Sequence, residues 1–163
     1  SYSMPISIVR PFNNYGPGMR INDKRLPADF ASQILNKKDI KILSDGKPTR
    51  TFCYVSDAII GYLLALTNFK FDFFNIGIDK PEISVFEFAK IFVENAKLIF
   101  GYSPNVLFEK SKDLNYLIDN PYRRCPNISK ARNLLGYSPQ IDPYEGVKRY
   151  LLFLKGTLWK LQF

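Results

Sequence analysis

The chain has 163 residues, enough for one domain with a sizeable core, and its 46% hydrophobic and 23% charged residues are ordinary for a globular protein. It has no histidine and only two cysteines, which excludes a Cys/His zinc cluster and nucleophile–histidine pairs. No apolar run is long enough to span a membrane and no signal-peptide pattern opens the chain, so we expect a cytoplasmic protein without a membrane partner.

The basic residues outnumber the acidic ones by 23 to 15, which gives a net charge of +8. They are scattered over many segments without a basic helix face or a nucleic-acid-binding signature, so we do not expect a nucleic-acid partner. Isolated arginines occur instead in predicted loops: Arg20, Arg25, Arg50 and Arg124. Because arginine pairs with phosphate oxygens in a bidentate way, these residues favour a compact polyphosphate ligand.

Short apolar segments alternate with longer segments of helical periodicity along the chain, which predicts an α/β fold of layers. Strands are predicted at 6–10, 40–43, 51–55, 71–78 and 105–108. Helices are predicted at 26–37, after Ser56–Asp57, and at 88–99, 129–135 and 143–154. The segment 110–122 is predicted to be a loop. These strands are too few for a complete doubly wound sheet.

Local signals mark the ends of several predicted helices. Ser84 and Glu87 have the spacing of a capping box before the helix at 88–99, and Gly136 is placed to end the helix at 129–135. Either Ser56 or Asp57 can cap the helix whose apolar positions include Ile60, Leu63 and Leu64. Cys53 and Tyr54 are expected to pack in the preceding strand.

Two adjacent amides follow the first predicted strand. Asn13 and Asn14 come after Arg10-Pro11-Phe12 and before the turn at Tyr15-Gly16-Pro17. Ligands of open α/β sheets bind at the carboxyl ends of strands, so these side chains are well placed to bind one. The alternative is that Asn-Asn-x-Gly-Pro only forms a turn.

Arg50 follows the Asp45-Gly46 turn at the start of the next predicted strand. Such a turn can direct the guanidinium back over the preceding strand, where a diphosphate could lie; the alternative is a surface arginine. Arg123 and Arg124, in the loop after Asn120-Pro121, leave the same two possibilities open.

The sequence contains one match to a Tyr-x-x-x-Lys catalytic pair, at Tyr144 and Lys148. In the short-chain dehydrogenases such a lysine lowers the pKa of the tyrosine, but the pair precedes the strand that resembles 6–10. Here it opens the last predicted helix, so we expect no catalytic role. None of the nine glycines forms the glycine-rich turn that holds a dinucleotide pyrophosphate.

Five motifs together resemble the C-terminal, substrate-binding part of the extended short-chain dehydrogenase/reductases that act on nucleotide sugars. They are Arg10 to Pro17, Asp45 to Arg50, Tyr54 to Asp57, Phe74 to Gly77 and Asn120 to Arg124. The resemblance runs from about residue 6 to 154. It implies one substrate-binding domain over 1–163, with one or two strands left from a Rossmann-like parent and a small mixed α/β lobe. It also implies that the NAD-binding Rossmann domain lies outside this chain, in agreement with a first residue, Ser1, that is not methionine.

Within that family the chain looks closest to the UDP-glucuronate decarboxylases, whose Met-x-x-Asn-Asp-x-Arg stretch is met here at Met19 to Arg25. The resemblance implies substrate contacts from Asn13, Arg25, Lys41, Leu43, Arg50, Asn75 and Arg124. It implies cofactor contacts from Asn14, Arg20 and Arg25, and neither a catalytic residue nor a metal ligand in this chain. Two segments depart from the family pattern. Leu43-Ser44-Asp45-Gly46 stands where Tyr-Gly-x-Gly is usual, and Arg124-Cys125-Pro126-Asn127 where Arg-x-Pro-Asp is usual.

By this resemblance the parent would be an NAD-dependent nucleotide-sugar decarboxylase, dehydratase or epimerase, and a homodimer. It would oxidise the sugar at C4, react through the 4-keto group and return the hydride. This chain would contribute the binding site for the nucleotide-diphosphate sugar, and its polar residues would position the substrate. The alternative is a non-catalytic binding or assembly module of the same lineage.

Overall fold

The computed structural model describes residues 5–68, 70–109 and 121–160, except the side chains of 158–160. The helices found there are α1 (Leu26–Leu35), α2 (Val55–Leu66), α3 (Val85–Phe100), α4 (Ser129–Leu135) and α5 (Pro143–Lys160). The strands are β1 (Ser7–Pro11), β2 (Asn14–Tyr15), β3 (Ile40–Ile42), β4 (Thr49–Arg50), β5 (Cys53–Tyr54), β6 (Asp72–Ile76), β7 (Ile83–Ser84), β8 (Val106–Phe108) and β9 (Arg123–Arg124). The mixed α/β class is as predicted. Most of the predicted loop at 110–122 lies outside the described residues.

The strands form four small sheets. The longest pair joins β1 and β6 in parallel, with Ser7 opposite Asp72 and Pro11 opposite Ile76. Two further parallel pairs join β2 to β5 and β3 to β8. In the fourth sheet β4 lies between an antiparallel β7 and a parallel β9. The strand predicted at 51–55 is in fact shorter: only β5 lies within it, because β4 ends at Arg50 and α2 begins at Val55.

The larger hydrophobic core lies between α1, α3, α5 and the β2–β5 pair. At its centre the rings of Phe52 and Phe88 stack with their centroids 3.6 Å apart, and Tyr15 meets both rings edge-on. Tyr15 also donates a hydrogen bond to the carbonyl of Pro143 at the start of α5. The core therefore fixes the segment that directly follows Asn13 and Asn14.

A second cluster joins α2 and α4 to one face of the β1–β6 sheet, through Phe74, Ile76 and Tyr137. The Tyr137 hydroxyl donates to the carbonyl of Gly77 over 3.0 Å. Helix α2 approaches the sheet so closely that a Cβ on Gly61 would lie 2.5 Å from Ile76 Cγ2. Small residues of α2 thus meet the sheet, and Tyr62 and Leu64 pack beside them against the same cluster.

The outward face of α2 is aliphatic. Its exposed residues are Ile59, Ile60, Leu63 and Leu66, of which Ile60 is 51% and Leu63 57% exposed. Of the three apolar positions predicted for this helix, Ile60 and Leu63 are exposed and only Leu64 packs against the second cluster. On the nearby sheet, Ile8 of β1 and Phe73 of β6 are exposed as well.

Two predicted helix ends are confirmed and one predicted cap is wrong. Ser84 and Glu87 form the reciprocal capping box of α3, and Gly136 ends α4 with φ +67°. Helix α2, however, begins at Val55 without a side-chain cap. Asp57 is buried in its first turn, and its carboxylate accepts hydrogen bonds from the backbone amides of Gln140 and Ile141 over 3.0 and 2.8 Å. As far as the structure describes the chain, no helix has both the length and the apolar character needed to cross a bilayer.

Candidate functional site: a cationic cavity

A cavity of about 260 Å³ opens where the loop after β1 meets the start of α1 and the β3–β4 connection. The polar side chains that line it are Asn13, Asn14, Lys24, Arg25, Ser44, Arg50 and Arg124. The apolar ones are Met19, Leu26, Pro27, Ile42, Pro48, Phe52 and Val85. Five of the nine residues predicted to bind substrate or cofactor therefore lie together: Asn13, Asn14, Arg25, Arg50 and Arg124.

The two asparagines are held by specific contacts and do not only form a turn. Asn13 has a left-handed backbone, with φ +45°, which asparagine tolerates better than most residues. Its side-chain amide donates to the carbonyl of Thr51 over 2.8 Å, which ties the loop to the next strand. The Asn14 amide donates to the hydroxyl of Tyr62 on α2, and its Oδ1 atom is buried without a partner among the described residues. Tyr62 thus connects α2 to the cavity.

Arg50 is a charged residue that is nearly buried. Its side chain is 7% exposed, and its Nη1 donates to the carbonyls of Thr49 and Tyr122 over 2.7 and 3.1 Å. The parallel pairing of β4 with β9 sets Arg124 directly opposite Arg50, on the neighbouring strand. The paired strands therefore present two guanidinium groups to one cavity.

The loop before α1 brings two more basic residues. Arg25 forms a bidentate pair with Asp23, with Nε–Oδ1 and Nη2–Oδ2 distances of 2.6 and 2.8 Å. This hydrogen-bonded pairing lowers the pKa of the Asp23 carboxyl and raises that of the Arg25 guanidinium. Lys24, whose backbone is left-handed with φ +65°, forms no ion pair with any residue that the structure describes.

The charges around the cavity are one-sided. Its described lining has four basic side chains, Lys24, Arg25, Arg50 and Arg124, and no acidic one. Asp23 compensates Arg25 from outside that lining. A cavity lined by one sign of charge concentrates ions of the opposite sign. Arginine forks and a lysine ammonium are the groups that proteins use to bind phosphate oxygens. The arrangement can hold a polyanion such as a diphosphate.

Four predicted residues lie outside this lining. Arg20 is exposed on the loop that precedes α1. Lys41 points to Glu109, with a 2.7 Å ion pair, and Leu43 lies between Ile42 and Ser44, which do line the cavity. Asn75 donates to the carbonyl of Asn127 over 3.0 Å.

Sequence reasoning did not select Lys24, Ser44 and Val85, which also line the cavity. Lys24 lies in the same motif as Arg25, and Ser44 directly follows Leu43, so both are sequence neighbours of residues that were predicted. Val85 had no local signal. The antiparallel pairing of β4 with β7, and a hydrogen bond of 3.0 Å from the Val85 amide to the Pro48 carbonyl, bring it to the cavity.

The Tyr144–Lys148 pair does not contribute to the described lining. Tyr144 is 42% exposed in the first turn of α5. The residues present also do not fit a complete NAD site, because the cavity includes no glycine-rich turn at a helix start. The unpartnered Oδ1 of Asn14 fits at most the edge of such a site. No group of acidic or cysteine side chains in the described ranges could hold a metal ion.

Comparison with known proteins points to one group. Residues 1–77 match the model of the NAD dependent epimerase/dehydratase family. UDP-glucuronic acid decarboxylase 2 of Arabidopsis thaliana is 33% identical over 145 residues, which are 89% of this chain and 30% of that protein. UDP-glucuronic acid decarboxylase 1 of Xenopus tropicalis is 30% identical over 94% of this chain and 34% of that protein. The chain thus spans about a third of the length of these curated relatives.

Solved structures agree with the sequence matches. The UDP-glucuronic acid 4-epimerase from Bacillus cereus, in complex with UDP-glucuronic acid and NAD, superposes with a TM-score of 0.76 at 31% identity. That likeness covers 94% of this chain and 46% of the epimerase. An epimerase from Methanothermobacter thermautotrophicus gives a TM-score of 0.83 at 28% identity, over 98% of this chain and 46% of its own.

Proposed function

We propose that the chain is part of a protein of the NAD dependent epimerase/dehydratase family and that its cavity binds the diphosphate and nucleoside of a nucleotide sugar. The observation that carries this proposal is the pair of arginines on adjacent strands. Arg50 is nearly buried and Arg124 lies opposite it, with no acidic side chain in the described lining. Two neighbouring guanidinium groups can each bind the oxygens of a doubly charged diphosphate through paired hydrogen bonds.

We further propose UDP-glucuronate as the sugar nucleotide. The relatives named above are UDP-glucuronic acid decarboxylases, and the Bacillus cereus structure is an epimerase that holds UDP-glucuronic acid. These proteins differ in reaction but share that ligand in their names. In this chain Lys24, which is not neutralised by a described acidic residue, supports the proposal, since a glucuronate carboxylate needs a cation beyond those that bind the diphosphate.

In the whole protein NAD would accept a hydride from the sugar and return it, and most of its binding residues would lie outside this chain. The part of this chain would be to bind and orient the substrate. We propose that Asn13, Arg25, Arg50 and Arg124 contact the nucleotide sugar and that Asn14 faces the cofactor. The roles predicted for Arg20, Lys41, Leu43 and Asn75 remain predictions. So do the single domain over 1–163, the cytoplasmic location and the homodimeric parent.

For the reaction we propose decarboxylation, with epimerisation or dehydration as the competing possibilities within the family. The loop of Asn22 to Arg25, which resembles that of the decarboxylases, supports this choice. The competing proposal of a different class is a non-catalytic module that binds a nucleotide sugar without turning it over.

Calorimetry of this chain with UDP-glucuronate, and with glucuronate alone, tests the binding proposal. We expect heat of binding with UDP-glucuronate and none with glucuronate, because most of the binding energy would come from contacts with the diphosphate. Equal signals from the two ligands, or none from either, would refute the proposed site.

Product analysis tests the reaction, with the whole protein and NAD incubated separately with UDP-glucuronate and with dTDP-glucose. Release of CO2 with a pentose nucleotide supports decarboxylation. A C4 epimer as the sole product would assign the protein to the epimerases, and a 4-keto-6-deoxy sugar from dTDP-glucose would assign it to the dehydratases. Binding without any turnover would favour the non-catalytic module.

A further inference from the structure

We propose that Glu82 is a positioning residue for the cavity: by pairing with Arg123 it holds in place the strand that carries Arg124. The inference rests on the proposed function, because it concerns the contact between Arg124 and the diphosphate. Arg124 lines the cavity from β9, a strand of only two residues. In the part of the chain that the structure describes, no hydrogen bond holds its side chain. The position of this guanidinium therefore depends on how β9 is attached to the rest of the protein.

The backbone attachment of β9 is short. The amide of Thr49 donates to the carbonyl of Tyr122 over 2.9 Å, and the amide of Thr51 donates to the carbonyl of Arg124 over 3.3 Å. Among the described strands β9 pairs with β4 alone and lies at the edge of its sheet. Short edge segments with few contacts open locally at a small cost in free energy. A side chain that fastens β9 to the sheet should therefore affect how well Arg124 binds a ligand.

Glu82 provides such a contact. Its Oε2 accepts hydrogen bonds from Arg123 Nε and Nη2 over 3.1 and 2.6 Å, and its Oε1 accepts one from the Thr49 hydroxyl over 2.5 Å. Glu82 directly precedes β7, Thr49 belongs to β4 and Arg123 to β9, so these side chains link all three strands of the sheet. The hydrogen bonds from Arg123 and from Thr49 lower the pKa of the Glu82 carboxyl. The carboxylate is therefore charged at neutral pH and available for the pair.

Glu82 acts on the cavity through the strand and not by touching a ligand. Neither Glu82 nor Arg123 belongs to the described lining, whereas the next residue, Arg124, does. Successive side chains of a strand point to opposite sides, which agrees with this division. By its charge alone a carboxylate near the cavity would weaken the binding of an anion. By holding β9 in place it should strengthen that binding. The two effects have opposite signs, so the direction of the change in a variant separates them.

Calorimetric titration of the chain with UDP-glucuronate tests the proposal. For E82Q we expect the affinity to fall about two- to fivefold, the effect of losing one exposed ion pair of good geometry. R123E should weaken binding as well. The double variant E82R/R123E restores a pair of opposite charges and the net charge of the chain, so it should bind more tightly than R123E. In an R124A background, E82Q should cause no further loss, because Glu82 acts through Arg124.

The matched control is D79N. Asp79 lies three residues before Glu82 and also accepts paired hydrogen bonds from an arginine, Arg132 of α4, with Nη1–Oδ2 and Nη2–Oδ1 distances of 3.1 Å. Neither residue belongs to the described lining. D79N removes the same charge from the same segment without releasing β9, so it should leave the affinity for UDP-glucuronate unchanged.

Amide hydrogen exchange measures the attachment of β9 without a ligand. In E82Q the amides of Thr49 and Thr51 should exchange faster, while the amide of Val85, which donates to the Pro48 carbonyl, should not change. The proposal is overturned if E82Q binds UDP-glucuronate as tightly as the unmodified chain or more tightly, if D79N weakens binding as much, or if exchange at Thr49 and Thr51 is unchanged. If the unmodified chain does not bind UDP-glucuronate, the proposed function fails first, and the exchange rates still decide whether Glu82 holds β9.

Discussion

Arg50 shows how strand pairing can place a residue that looks like a surface arginine in the lining of a cavity. From the sequence, a turn followed by arginine left two possibilities open. The structure places the side chain at 7% exposure, with Nη1 on the carbonyls of Thr49 and Tyr122 and with Arg124 across the strand pair. The register that brings Arg124 there involves residues more than 70 positions apart, and no local pattern encodes it. Arg50 is therefore the residue whose substitution tests the site most sharply.

We expect R50A to weaken the binding of a UDP-sugar by about 1.5 to 3 kcal/mol, the range for hydrogen bonds to a charged group. R50K keeps the charge but loses the planar fork, so its affinity for the UDP-sugar should lie between those of the unmodified chain and R50A. Calorimetry measures both, and circular dichroism checks that each variant is folded. The matched control is R149A on α5, where the arginine pairs with Glu145 outside the cavity lining. If R149A costs as much as R50A, the cavity is not the binding site.

The reactivity of the Cys53 thiol tests whether the strand next to the cavity is buried. It is 1% exposed, and burial raises the pKa of its thiol to about 12. The thiolate is the reactive form, so at pH 8.5 Cys53 should resist iodoacetamide in the folded chain and react after denaturation. Burial also raises the pKa of Cys125, but that residue is only partly buried, so it should be labelled slowly. Mass spectrometry of the labelled peptides gives the rates. Rapid labelling of Cys53 in the folded protein would contradict its place in the structure.

At the scale of elements, the packing of α5 on the site-bearing segment depends on a glycine. A Cβ on Gly146 would overlap the hydroxyl of Tyr15 and lie 3.2 Å from the Tyr54 ring. We expect G146A to lower the free energy of unfolding by about 1 to 3 kcal/mol through overpacking, although alanine is the better helix former. Gly156 lies in the same helix with nothing within 4 Å of an added Cβ. G156A should therefore be neutral or stabilise by up to about 1 kcal/mol. Urea denaturation compares them, and equal effects would contradict the packing of α5 on Tyr15.

Elements with a strong local signal were predictable, and elements made by distant pairing were not. The capping box of Ser84 and Glu87 and the glycine end of α4 depend on neighbours in sequence, so they were read correctly. The strands β2, β4, β7 and β9 have two residues each and exist because of their partners. Asp57 has a residue type typical of helix caps, yet its carboxylate binds amides more than 80 residues away. The same limit applies to the cavity, where Asn13 and Asn14 were found from their motif and Val85 was not.

The whole molecule has an apolar surface that ordinary monomers seldom show. It is the outward face of α2, with Ile60 and Leu63; Ile8 and Phe73 are exposed as well, on the face of the β1–β6 sheet opposite to the one that α2 covers. In the described residues β1 pairs on one side only, with β6. Contiguous apolar patches and unpaired strand edges promote association. Proteins of the family extend well beyond the match, since the chain spans 46% of the Bacillus cereus epimerase.

We expect this chain by itself to associate in a concentration-dependent way. The double variant I60E/L63E should reduce that association, because it places charge on the aliphatic face of α2 without disturbing the small residues that meet the sheet. L98E on α3, where the leucine is also exposed, is the matched control and should have little effect. Light scattering over a dilution series measures the change. A chain that is monomeric throughout, or one in which L98E is the more effective variant, would contradict the assignment of this surface.

The central claim is that one cationic cavity binds a nucleotide sugar. The most direct measurement is a nuclear magnetic resonance titration of the isotopically labelled chain with UDP-glucuronate, in which each backbone amide reports its own surroundings. The account predicts saturable shifts at Asn13, Asn14, Ser44, Arg50 and Arg124, and none along the exposed side of α5. Shifts confined to α5 or to the aliphatic face of α2, or no saturable shifts at millimolar ligand, would contradict it.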